Sequence, residues 1–361
     1  MNTRRRIHKL LLLGLLASLF SACANSEVEE DWLATTTLDD IQLVDPAGTV
    51  NMGFPMLFDG QGESHIAYLR SGKRSVLYAH RSGDVWSTET VVQDGDFSNG
   101  LAVGLNGSHE PVITYQRMVS GLAANLEISE RVDGVWSADT IDTDGWVGSQ
   151  SSIQVFPSGS IRLAYFAGYP YYDLRYAERK AGEWVTTTID SEEDAGYDPN
   201  LVSAENGEPA IVYSTLGVGL KLARRNGGNW GLQTLDGSQI TGWGLAVGVD
   251  SGSLLHAFYQ SDGAFKYGVQ TSPDTWGYEI IERTRQTASS IVLDSSNEPW
   301  FAARNLRTLK IGTRHDGHWF VKELPEAGQI GDVTMAPAPD GRLGIAYVTM
   351  GDSLFFAWLK P

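Results

Sequence analysis

The groups best suited to chemistry in this sequence are acidic and aromatic, and they fall between its repetitive parts. Asp94, Asp96, Asp142, Asp144, Glu192, Glu193 and Asp194 cluster in loop segments. Such groups could hold calcium or pair as glycosidase carboxylates, but a solvated acidic rim is the simpler expectation. The histidines at 65, 80, 109, 256, 315 and 318 are scattered, with only His315 and His318 close together, so no metal site is expected. No Gly-x-Ser-x-Gly segment, phosphate loop or dinucleotide fingerprint occurs, so no catalytic residue and no cofactor are assigned.

A second set of loops carries rings and arginines: Phe54, Phe97, Trp146, Tyr197 and Trp243 in one group, Arg70, Arg74, Arg117, Tyr169, Tyr171, Tyr172, Gln260, Arg304 and Arg307 in the other. Aromatic faces cover the apolar side of a pyranose while charged groups take its hydroxyls, so a sugar or an anionic glycan suits them. The candidate ligand-binding residues are Trp146, Tyr197, Trp243, Phe97, Arg70, Arg117 and Tyr171. Arg70 and Arg117, each two residues beyond a repeated Tyr, would take a carboxylate or sulfate. The competing expectation is that some of these rings merely plug a channel.

The elements that position these loops are repeated. Trp32, Trp86, Trp136, Trp184, Trp230, Trp276 and Trp319 are separated by 54, 50, 48, 46, 46 and 43 residues. Five of them end similar turns, such as Arg131-Val-Asp-Gly-Val-Trp136 and Arg179-Lys-Ala-Gly-Glu-Trp184. Apolar runs ending on an aromatic precede them, as in Ile66-Ala-Tyr68, Ile113-Thr-Tyr115 and Leu163-Ala-Tyr165, each led by a turn such as Ser158-Gly159. One unit therefore reads as four strands, which is a propeller blade. The predicted fold is all-β, a seven-bladed β-propeller of four-stranded blades over residues 31–361.

The last repeat stops at its third strand, Leu354-Phe-Phe-Ala-Trp-Leu-Lys-Pro361, while Trp32 to Leu38 reads as a free outer strand. That N-terminal strand is expected to complete the last blade and close the ring, leaving no open edge. The repeated Arg at 81, 131, 179, 225 and 314 is expected to be structural, stacking on the Trp ring and bonding turn carbonyls.

Ahead of the repeats, residues 1–9 are basic and Leu10 to Phe20 form an apolar run. A spanning helix needs roughly 20 apolar residues, so this run reads as a signal peptide over residues 1–22. Phe20-Ser-Ala-Cys23 resembles the lipobox of bacterial lipoproteins, and Cys23 is the sole cysteine. The resemblance implies lipidation at Cys23, residues 23–30 as lipidated Cys and acidic spacer, and placement in the cell envelope, with Ala24 pointing to the outer membrane. Thr3 to Lys9 partly resembles a twin-arginine export signal. Losing Arg4, Arg5, Arg6 and Lys9 takes the net charge from −17 to −21. Such a surface repels phosphate backbones, so no nucleic-acid partner is expected.

The Gly turn leading into each Trp strand resembles a worn Asp-box of sialidase-like propellers, and the repeat is similar to those of lectin-type propellers. The full Ser-x-Asp-x-Gly-x-x-Trp box is nowhere intact. Fold analogy transfers no activity. The expected function is a non-catalytic, monomeric envelope propeller that binds a carbohydrate or an envelope protein at its channel mouth. The alternatives are a sialidase-like hydrolase or lyase, and an envelope assembly factor.

Overall fold

The computed structural model describes residues 33–46, 53–70, 72, 74–204, 206–239, 244–272, 274–284 and 287–360. Cys23, the signal peptide and spacer, Trp32 and Trp243 lie outside them. No helix among the described residues is long and apolar enough to cross a membrane.

Among the described residues, twenty-eight strands form seven four-stranded antiparallel sheets. Blades one to six occupy residues 56–93, 97–142, 147–190, 197–236, 246–282 and 287–323 in chain order, and blade seven joins residues 330–360 to Thr37–Asp45. The sequence pattern within a blade follows burial. In blade three the second strand, Ile161–Ala167, is almost wholly buried and almost wholly apolar, while the outer strand, Glu183–Asp190, exposes most of its side chains and carries three consecutive threonines. A strand covered on both faces needs a continuous apolar run, and an outer strand needs only alternation.

Turns and close approaches explain key glycines. Asp133 and Gly134, at φ 51° and 79°, form the two-residue hairpin between Ala123–Val132 and Val135–Asp142, where a primed turn demands positive φ at both places. Gly100 has φ 103°, and a Cβ there would lie 1.9 Å from the carbonyl oxygen of Gly148 in the next blade. No side chain fits where two inner strands come that close.

The core is divided by blade boundaries. Each of the seven boundaries has its own buried cluster among the described residues. Trp86, Trp136, Trp184, Trp230, Trp276 and Trp319 each pack against the cluster shared with the preceding blade. Four of these indoles also donate to that blade's outer strand: Trp86 to Gln42, Trp136 to Glu89, Trp184 to Asp139 and Trp319 to Glu279. The repeated arginines are ion-paired as well, two of them with the carboxylates that hold those indoles. Arg131 and Arg314 pair with Glu89 and Glu279, Arg179 with Glu130, Arg225 with Glu178 and Arg81 with Asp84. Their role is structural as expected, but their partners are carboxylates rather than turn carbonyls. Only Arg179 lies over the ring of its own blade's Trp, 5.3 Å from the centroid of Trp184.

The N-terminal strand closes the ring, in a different register from the expected one. It spans Thr37–Asp45, with Leu38 opposite Leu359 and Asp45 opposite Leu354. In blade three the corresponding pairs are Trp184 with Arg179 and Asp190 with Leu174. Leu38 therefore holds the place of a blade tryptophan, and the aligning feature is Leu43-Val-Asp45, matched by Thr188-Ile-Asp190, rather than Trp32. Leu38 and Leu33 both enter the cluster between blades six and seven.

Candidate functional site

The loops between second and third strands, and those between successive blades, emerge on one face around the central channel. At blade three the first kind of loop is Gly168-Tyr169-Pro170-Tyr171-Tyr172. Its backbone is tied to Trp146, whose amide donates to the Tyr169 carbonyl at 2.9 Å and whose carbonyl accepts from the Gly168 amide at 2.7 Å. Gly145, at φ 95°, lets the loop settle there, since a Cβ would stand 3.0 Å from the Tyr169 oxygen and 3.2 Å from the Tyr171 ring. Tyr172 is itself held at φ 60°, uncommon for so bulky a residue.

The loop thereby presents rings. Tyr169 is 51% exposed and Tyr171 42%. Tyr171 donates its hydroxyl to Asp144 at 2.8 Å, and Arg175 lies 4.7 Å from its ring centroid. The bond to Asp144, with that carboxylate's negative charge, raises the Tyr171 hydroxyl above its ordinary pKa. Arg175 in turn reaches Asp142 at 2.9 Å and Asp144 at 3.1 Å, and Asp142 accepts from Tyr165 at 2.7 Å. Beside the loop, Phe166 stacks on Tyr197 of blade four at 4.4 Å, and Tyr172 accepts at its carbonyl from the Ala195 amide. Burial raises the Tyr197 hydroxyl as well. Glu192, Glu193 and Asp194, just before Ala195, are exposed.

The other expected site residues separate. Phe97 is fully buried in the cluster between blades one and two, with Arg117 over its ring at 5.0 Å, so it is a core plug with no surface to offer a ligand. Arg117 pairs with Glu127 at 2.9 Å and Arg70 with Asp45 at 3.4 Å. Each guanidinium thus has a carboxylate partner within the fold while keeping about a third of its side chain exposed, 37% for Arg70 and 30% for Arg117. Trp146 and Tyr197 are half-buried beside the Tyr171 loop. The acidic rim also divides: Asp142 is buried beneath the rings, whereas Asp144 is largely exposed. The six described histidines lie at the opposite ends of their strands, in or beside the turns joining first to second and third to fourth strands. Among the described residues no His, Cys, Asp and Glu cluster could hold a metal.

The central channel has a volume of about 640 Å³ and is lined by all seven inner strands, with Ser149, Asn200, Asp198 and Asp332 among its polar residues. Asp198 belongs to blade four. It accepts from Gln150 of blade three at 2.5 Å and from the Gly244 amide of blade five at 2.5 Å. Its carboxyl is enclosed, although the residue keeps some surface toward the channel. Burial pushes it up to about 7, against the pull of the Gly244 and Leu245 amides. Sequence reasoning passed over Asp198 and Arg175, since each acts on partners one blade away. The link from Asp142 to Tyr165 did leave a trace, in a spacing of 23 residues that recurs.

No protein-family model matches the chain, and no curated protein matches it in sequence. Solved structures share its fold. A catalytically inactive variant of virginiamycin B lyase from Staphylococcus aureus, bound to quinupristin, superposes with a TM-score of 0.61 at 11% identity, covering 89% of this chain and 99% of the lyase. Aleuria aurantia lectin in complex with α-methyl-L-fucoside gives 0.54 at 13% identity, over 79% of this chain and all of the lectin (100%). YCF48 bound to D1 peptide gives 0.56 at 15% identity, over 89% and 95%. At such identities the likeness establishes the fold alone.

Proposed function

We propose that this chain is a non-catalytic binding propeller that holds a saccharide on the ledge formed by Tyr169, Tyr171 and Tyr172, with Trp146 and Tyr197 behind it. The observation that carries the reading is the fixed pose of Tyr171. Its ring keeps an open face while Asp144 holds its hydroxyl and Arg175 sits against its ring, so a sugar would meet a platform needing no reorganisation. The lectin that shares the fold binds a saccharide derivative, and this lends support by analogy. The catalytic alternative called for several arginines converging in one pocket, whereas Arg70, Arg117 and Arg175 each close on carboxylates of their own. Envelope display through a lipid on Cys23 belongs to the same proposal and rests on the sequence.

Screening the full chain on a glycan array tests the proposal. Saturable binding that Tyr171→Ala removes supports it. Failure to bind any saccharide, with capture of an extended peptide instead, overturns it in favour of an assembly role.

A further inference from the structure

The ledge sorts its charges by depth. Its cations are buried and neutralised: the Arg175 side chain is 8% exposed between Asp142 and Asp144, and Lys221 is 11% exposed against Asp190. Its carboxylates face solvent: Asp144 is 60% exposed, and Glu192, Glu193 and Asp194 are open beside Tyr172. The exposed arginines in loops of the same kind, Arg74 and Arg307, belong to blades one and six. A molecule settling here meets the electron-rich faces of tyrosines and a fringe of negative charge, and the chain's net charge of −17 draws it in from a distance.

We infer that the ligand is cationic, a saccharide carrying protonated amines. The inference rests on the saccharide reading above and reverses the sign that the sequence suggested, because the arginine at this ledge, Arg175, is buried between two carboxylates and the exposed arginines stand on other blades. The rings take the sugar faces, while Asp144 at the Tyr171 hydroxyl and the exposed Glu193 and Asp194 ahead of Ala195, whose amide bonds Tyr172, supply the negative charge an ammonium would meet. An ammonium over an aromatic face beside a carboxylate gains from both groups, whereas a neutral sugar gains from the ring alone.

The test is calorimetric titration of the full chain, in mildly acidic buffer, with a glucosamine oligomer and with its N-acetylated counterpart of equal length. The amine form should bind about tenfold tighter or better, and that advantage should shrink as salt is raised. The double variant Glu193→Gln with Asp194→Asn, at exposed positions, should lose the advantage while keeping the parent melting temperature and the parent affinity for the N-acetylated oligomer. Equal binding of both oligomers by the parent overturns the inference and leaves the saccharide reading standing. Binding of oligolysine with neither oligomer bound overturns both.

Discussion

Tyr165 donates its hydroxyl to Asp142 at 2.7 Å across the boundary between blades two and three, from 23 residues further along the chain. The same separation and the same bond occur between Tyr68 and Asp45, Tyr213 and Asp190, and Tyr259 and Asp236. A cation completes each group: Arg175, Arg70, Lys221 and Lys266 respectively. Where position 92 is Val instead of Asp, Tyr115 turns to the Ser129 hydroxyl of its own blade at 3.0 Å. The second strand of one blade is thus latched to the outer strand of the blade before it.

Removing one latch should therefore cost more than removing the local bond that replaces it. Hydrogen bonds to charged groups contribute about 1.5–3 kcal/mol and neutral ones about 0.5–1.5 kcal/mol. Tyr213→Phe should lower the urea-unfolding free energy by the larger amount and Tyr115→Phe by the smaller. Equal losses would mean that the carboxylate adds nothing.

The latches set the acid limit of the fold. Burial raises the Asp190 carboxyl, but donors from Tyr213, the Glu192 amide and Lys221 outweigh it and hold it below its ordinary 3.8; Ser238, Lys266 and Tyr259 do the same for buried Asp236. A depressed carboxylate contributes stability that is present above its unfolded pKa and lost as pH falls through the folded one. Melting temperature should accordingly drop as pH falls below about 3.8, and Asp190→Asn, though less stable at neutral pH, should show a shallower drop.

Between those limits two buried groups act in opposite senses. Asp198 is raised to about 7, so its contribution is full at low pH and declines as pH rises from 3.8 toward 7. His65 is lowered from 6.5 to about 4, chiefly by burial, so its contribution is full above 6.5 and declines as pH falls toward 4. Replacing Asp198 by Asn should leave His65 unopposed, and the melting temperature should then fall on acidification across that window more steeply than in the parent. An unchanged profile would show that the Asp198 carboxyl is not desolvated.

Ring closure depends on Thr37–Asp45. Deleting it bares the edge of Leu354–Lys360 and strips Leu38 and Val44 from two clusters. Truncating one buried Leu costs about 2–5 kcal/mol, so loss of the whole strand should abolish cooperative melting and promote association through the open edge. Circular dichroism and size-exclusion chromatography would detect both, and a monomeric cooperative product would refute the closure argument.

The ledge and the core should respond differently to truncation. Tyr171→Ala should remove ligand binding and shift the melting temperature by only a few degrees, since that residue is 42% exposed and belongs to none of the boundary clusters. Trp184→Ala should destabilise the protein by about 3–5 kcal/mol, because its indole packs at the boundary of blades two and three. Comparable destabilisation by both would make Tyr171 part of the core.

The blade count, the four-strand unit and closure by an N-terminal strand were all legible in the sequence, because alternation and turn chemistry act over a few residues and repeat wherever a blade repeats. The register of closure was not. Trp32 has the residue type of the other blade tryptophans, but the closing strand pairs with Leu38 opposite Leu359, and Leu38 with Leu33 fills the boundary cluster there. The candidate site shows the same division. The sequence displays Tyr171, Arg117, Phe97 and the acidic loops as residues, whereas packing between blades decides which of them meet solvent. Asp142 and Asp144 stand two residues apart, yet one is buried under Tyr165 and Arg175 while the other faces outward, because Asp142 is the last residue of its strand, covered by the neighbouring blade, whereas Asp144 lies beyond the strand end in the loop.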